Sequence, residues 1–193
     1  MPSMIDLSGA HFHLLLNHIP VLGTIFGVGV LTYGWARKNP DILKVSLGFF
    51  VLAGLFAGAV YLTGEAAEDA VEHLTGISEA VIDPHEDAAI YALIAAGVLG
   101  ALSLYGLWRY AGTAIPTRFA AVVLAVGLVS SGVMGWTANL GGQINHPEIR
   151  SEAAAASVDV DTDDVDAEDV DAADPETDPA TDERETRRAR DER

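Results

Sequence analysis

The chain has 193 residues, no cysteine and a formal net charge of −17, yet half of it is apolar. Residues 1–150 carry 11 acids and 6 bases, whereas residues 151–193 carry 17 acids and 5 bases, so an apolar body precedes an acidic tail. This division excludes one ordinary soluble domain, the lack of Cys excludes disulfides and thiolate metal sites, and no basic face is on offer to nucleic acid.

Four apolar runs fill the body, at about 14–35, 45–63, 88–108 and 119–136, and none holds a charged side chain. Each is close to the roughly 20 residues that an α-helix needs to cross a hydrocarbon core. Soluble helices carry a polar face, and these runs carry almost none. The expected fold is therefore all-α: a four-transmembrane-helix bundle over 1–145, with a disordered acidic C-terminal tail over 146–193. Residues 1–13 have no Lys or Arg and no small-residue cleavage site follows the first run, so a cleaved signal peptide is not expected.

Orientation follows from the bases. Arg37, Lys38 and Lys44 follow the first run, and Arg109 and Arg118 follow the third. The connection at 64–87 has no base and eight acids: Glu65, Glu68, Asp69, Glu72, Glu79, Asp83, Glu86 and Asp87. By the positive-inside rule both basic loops face the cytoplasm, and both termini face outward from an inner (plasma) membrane. Trp35 and Trp108 then sit at inner ends and Trp136 at an outer one.

All six histidines fall on the outer side: His11, His13, His18, His73, His85 and His146. At about 100° per residue, His11 and His18 share one face of the first helix, continued by Leu22, Ile25 and Gly29, while His13 points away. A polar group at the depth of His18 is expected to face the bundle. In the second helix Gly54, Gly58, Tyr61, Glu65 and Glu68 form one stripe, with Gly54-x-x-x-Gly58 as a close-packing face. If the helix runs on through Gly64, Glu65 and Glu68 reach the bundle mouth; a solvated surface extension is the other reading. Asp83-Pro84-His85-Glu86 reads as the capped start of the third helix, with Glu86 as part of the cap. His85 shares a face with Ala89, Ala92, Ala96 and Ser103. Gly141-Gly142 reads as a stop for the fourth helix, with His146 in a mobile loop beyond.

Two histidines on different helices can supply both axial ligands of a b-type haem, and His18 with His85 is the pair this pattern offers, with His11 on the same face as His18. Covalent c-type haem is excluded, since there is no Cys-x-x-Cys-His. A second chemistry is a metal held by Glu65, Glu68, His85 and Glu86, as in carboxylate bundles, although the Glu-x-x-His motif is missing. Gly27-x-Gly29 lies inside a run and reads as packing rather than as a phosphate loop. No charge stands at mid-membrane, as a proton-coupled transporter or a channel would require.

His18-Ile19-Pro20, Thr63-Gly64-Glu65 and His85-Glu86 together resemble the bacterial membrane family catalogued as domain of unknown function 2231. The resemblance covers about residues 11–138. It implies a four-helix inner-membrane protein with a His-x-Pro motif in helix one and a second His opening helix three. Its paired histidines imply a haem or electron-transfer role.

The tail is Asp, Glu, Ala and Val with almost no aromatics, so it cannot bury enough apolar surface to fold. A short helical extension at 153–156 and a halophilic setting are expectations attached to it, and the Asp-x-Asp spacings at 159–166 read as a solvating polyanion rather than as a weak calcium site. The expected function is a haem-binding electron-transfer protein of the bilayer. The alternatives are a non-catalytic scaffold that docks a membrane partner or a second copy through Gly23-x-x-x-Gly27, and a Glu/His metal bundle. No catalytic residue is assigned.

Overall fold

The structure, a computed structural model, describes residues 9–74, 76–152, 154–156 and 158. The elements are α1 (Gly9–Leu16), α2 (His18–Ala36), α3 (Pro40–Tyr61), α4 (Gly64–Glu68), α5 (Glu79–Arg109) and α6 (Thr117–Asn145), followed by a 3₁₀ turn at Pro147–Ile149. The described residues include no strand. α1 and α2 are one helical rod interrupted at Asn17. Pro20 explains the interruption, because it has no N–H for the Leu16 carbonyl and its ring crowds that oxygen. Four helices, with α1 and α2 joined, are long and apolar enough to cross a membrane, which is compatible with an integral, multi-pass protein.

The long helices alternate in direction and close a ring in the order α2, α3, α5, α6. What faces the centre is mostly small or hydroxylated. α2 buries Pro20, Thr24, Gly27, Leu31 and Gly34, spaced by four, three, four and three. α5 buries Ala88, Ala92, Ala96, Leu99, Ser103 and Gly106, and α6 buries Ala120, Val123, Gly127, Ser130, Met134 and Thr137. The large side chains Leu22, Phe26, Leu52, Leu55, Ile94, Val98, Leu128 and Val129 point outward. In water this arrangement would be inside out. In lipid it is the expected one, because tails solvate Leu as well as a protein core does and helices associate through close packing and interhelical hydrogen bonds. Hydroxyls make such bonds between α6 and α5: Ser130 Oγ donates to the Ala95 carbonyl at 3.1 Å and Thr137 Oγ1 to the Ala88 carbonyl at 3.1 Å. Leu31, Leu47, Phe50, Leu99 and Val123 plug the middle of the bundle without exposure.

The connections are set by local chemistry. After α2, Lys38 adopts φ 51, and its N–H reaches the Trp35 carbonyl at 3.0 Å while that of Asn39 reaches Gly34 at 2.9 Å. This is a Schellman closure. The Asn39 side chain then accepts from the backbone of Asp41 and Ile42 and caps α3, with Pro40 in its first turn. Lys44 Nζ donates to the Ala111 carbonyl at 2.9 Å, tying this connection to the one between α5 and α6. All five bases of the two connections therefore lie at one end, and the six histidines at the other. Trp108 and Trp136 are exposed at opposite ends.

Two expectations about helix ends are corrected, and one left open is decided. α5 does not begin at Asp83-Pro84; it begins at Glu79 after Ser78, and Pro84 lies inside it. Val81 and Ile82 are buried, so apolar packing carries the helix back past its proline. α3 does not run straight into the acidic connection; it ends at Tyr61, and α4 starts afresh at Gly64. α6 does not stop at Gly141-Gly142 but continues to Asn145. Its last carbonyls are capped by Arg150, whose guanidinium donates to Gln143 and Ile144, both at 2.8 Å. Within the segment read as tail, the 3₁₀ turn is followed by helical residues at 152, 154–156 and 158, and Val158 is buried. The tail beyond residue 158, with the calcium spacing at 159–166, lies outside the described residues.

Candidate functional site

The stripe that α2 turns to the bundle extends upward through Asn17 to His13, again by three and four. His13, not His18, is therefore the inward histidine of this rod. It is half-buried, and its Nδ1 donates to the Val60 carbonyl at 3.1 Å. That oxygen lies at the end of α3, where no further turn of helix uses it fully. Thr63 Oγ1 donates to the same carbonyl at 2.8 Å and lies 3.4 Å from His13 Nδ1. Across the mouth, His85 is also half-buried, on the α5 stripe between Val81 and Ala88. Its Nδ1 donates to the Thr137 carbonyl of α6 at 3.0 Å.

A carbonyl oxygen only accepts, so both rings carry their proton on Nδ1. Each Nε2 is left with a lone pair. This is the state in which an imidazole binds a metal, with the other nitrogen oriented by a backbone carbonyl. One turn from His13, Asn17 Oδ1 is buried with no hydrogen-bond partner among the described residues. This end of the bundle thus presents acceptors in search of an electrophile.

The expectation that His18 faces the bundle is corrected. His18 is exposed on the outer face, and its Nδ1 donates only within its own rod, to the Leu14 carbonyl at 3.2 Å. His11 is exposed on that face too, as are Leu22 and Ile25. The phase arithmetic grouped these residues correctly, but the group faces outward. The missed signal was the other stripe: Asn17, Pro20, Thr24, Gly27 and Gly34 are the small and polar residues a membrane bundle turns inward, and His13 is in register with them.

The carboxylates gather differently from the expected metal set. Among the described residues no group of three or more His, Asp or Glu is placed to hold a metal ion. Glu65 and Glu86 are exposed, so Glu65, Glu68, His85 and Glu86 do not form one cage. Glu68 and Glu86 instead share a side-chain hydrogen bond, which holds the Glu68 carboxyl above the usual carboxylate range. Partial burial and repulsion from Glu86, Asp69 and Asp83 add to the shift. His73 pairs with Glu72 and His146 with Glu148, both on the surface.

The Glu68 shift gives a testable pH dependence. A pKa raised by folding means that the α4–α5 contact has its full strength below the ordinary carboxylate range and weakens as pH rises through the raised value. Glu68→Gln keeps a donor toward Glu86 at every pH. The protection factor of the α4 amides, which removes the intrinsic rise of exchange with pH, should fall in the native protein as pH rises through the Glu68 titration, and should stay flat in the variant. Equal pH dependence in both would assign the titration to another group.

The Gly23-x-x-x-Gly27 face is not available to a partner helix. A Cβ on Gly27 would run into the Phe50 ring, and one on Gly23 would stand 3.6 Å from Ala53, so α3 already covers this face. Gly54-x-x-x-Gly58 is half right: Gly54 meets α5 at the Ala96 carbonyl, while a Cβ on Gly58 would meet nothing within 4 Å. At the mouth, a Cβ on Gly141 would lie 2.8 Å from His85 Cε1.

Comparison with known proteins found no matching family model, no matching curated protein and no matching solved structure.

Proposed function

We propose that this is an integral plasma-membrane protein that holds a b-type haem by His13 and His85 and passes electrons at its histidine-bearing end. One observation carries the reading. Two imidazoles from different helices face the bundle mouth, and each has its Nδ1 proton on a backbone carbonyl. His13 and His85 would hold the haem iron through their Nε2 atoms, since neutral imidazole is a ligand for it. A bare metal ion is less well served, because the pair has no third His, Asp or Glu beside it among the described residues. When bound, the haem would supply one-electron transfer; the chain would supply two ligands oriented by backbone carbonyls.

The gathering of bases at one end supports the orientation proposed here, with those connections in the cytoplasm and the histidine end outside. The likeness to the four-helix family of unknown function belongs to the same proposal. Of its three short motifs, Thr63 and His85 stand at the mouth, whereas His18 of the His-Ile-Pro motif faces outward.

The test is an oxidised and dithionite-reduced visible spectrum of protein purified from haem-sufficient cells. A Soret band that sharpens on reduction is expected. His13→Ala and His85→Ala should abolish it, and His18→Ala should leave it intact. A colourless native protein would sink the proposal, and so would a band lost with His18→Ala but kept with His13→Ala.

A further inference from the structure

We propose that Gly141 is a positioning residue, whose missing side chain opens the Thr137 carbonyl to His85 and thereby decides which ring nitrogen carries the proton. Its purpose rests on the reading of His13 and His85 as a ligand pair; its geometry does not.

In the interior of α6 the Thr137 carbonyl is the normal acceptor of the Gly141 N–H, four residues on. A second donor must reach the same oxygen from the side of the helix. That approach is ordinarily covered, because a helical side chain leans toward the N-terminus and lies over the preceding turn. At Gly141 nothing covers it, and His85 Nδ1 enters to 3.0 Å of the oxygen. A Cβ there would stand 2.8 Å from Cε1, 3.1 Å from Nδ1 and 3.4 Å from Nε2 of the same ring. It would therefore press on the edge of the imidazole that makes the bond. The ring has little room to retreat as a body, since Thr137 Oγ1 clamps α6 to α5 through the Ala88 carbonyl, one turn beyond His85. Losing the carbonyl releases the tautomer, because that hydrogen bond is what holds the proton on Nδ1.

Gly142 provides the matched control. It is also in α6, where glycine weakens the helix relative to alanine, but a Cβ on it meets only Ile149 Cδ1, at 3.4 Å. Full-length protein with ¹⁵N-labelled histidine, freed of any haem, is placed in bilayers, and the His85 tautomer is read from its ring nitrogen shifts, assigned by their loss in His85→Ala. The native protein and Gly142→Ala should show the Nδ1–H form. Gly141→Ala should lose it in favour of Nε2–H. Melting temperatures complete a double-mutant cycle: Gly141→Ala should lower Tm with His85 present and raise it in the His85→Ala background. If Gly141→Ala alone does not fold, recovery in the double variant supports the inference and failure in both overturns it. An unchanged tautomer, or an equal loss of Tm in both backgrounds, also overturns it. A colourless protein would remove the haem reading and leave these outcomes standing.

Discussion

Phe50→Ala should destabilise the bundle by about 3 kcal/mol, measured by equilibrium unfolding in detergent. The Phe50 ring is fully buried in the middle of the bundle. It lies between two glycines: a Cβ on Gly27 of α2 would strike its edge, and one on Gly127 of α6 would come to 3.5 Å of its Cζ. The ring thus joins three helices at one level, and the two glycines that flank it have no side chain with which to fill the space it would leave. The expected loss is at the low end of the range for buried aromatics. Part of that range is transfer out of water, and here the unfolded helices remain in an apolar solvent. What remains is the loss of packing contacts around a cavity. Phe49, the adjacent residue on the outward face, is the comparison. Phe49→Ala should change stability by less than about 0.5 kcal/mol. Equal effects at the two positions would mean that α3 is rotated from the arrangement described here.

The second large effect is expected at the α3–α5 crossing. A Cβ on Gly54 would be 2.9 Å from the Ala96 carbonyl oxygen and 3.4 Å from Gly100 Cα. Both are backbone atoms, so no side chain can swing aside and the helices themselves must part. Gly54→Ala should cost about 2 kcal/mol. Gly58→Ala, one turn away with nothing in reach, should be neutral or gain up to about 1 kcal/mol from helix propensity. Similar results at both positions would return the whole Gly-x-x-x-Gly pair to the interface, or remove it altogether.

Much of this organisation was legible in the residues. Four uncharged runs of span length, two basic connections and one acidic one lead to four long helices with histidines at one end, because hydrocarbon solubility and charge placement are properties of composition along the chain. Helix boundaries were less legible. Pro84 and Gly141-Gly142 are punctuation marks in isolated peptides, but burial of Val81 and Ile82 and the Arg150 cap carry α5 and α6 past them. The candidate site was half legible. His85 was found from its small-residue stripe, which in lipid does mark the inner face. The same rule applied to the first helix selects His13, whose stripe holds Asn17, Pro20, Thr24 and Gly27; the depth of His18 argues for an inward ring, but the rest of its stripe is apolar and turns outward.

Which segments are helical and apolar enough to cross a bilayer, and which residues share a face, can be read from the residues alone, because both follow from side-chain chemistry repeated at the helical period. Only the tertiary structure decided which face turns inward and which carbonyls the imidazoles find. Those outcomes depend on where one helix end meets the next: the terminal turn of α3 presents Val60 to His13, and a glycine on α6 leaves Thr137 open to His85. No periodicity encodes such meetings, because they are made between residues dozens of positions apart whose contact is fixed by packing.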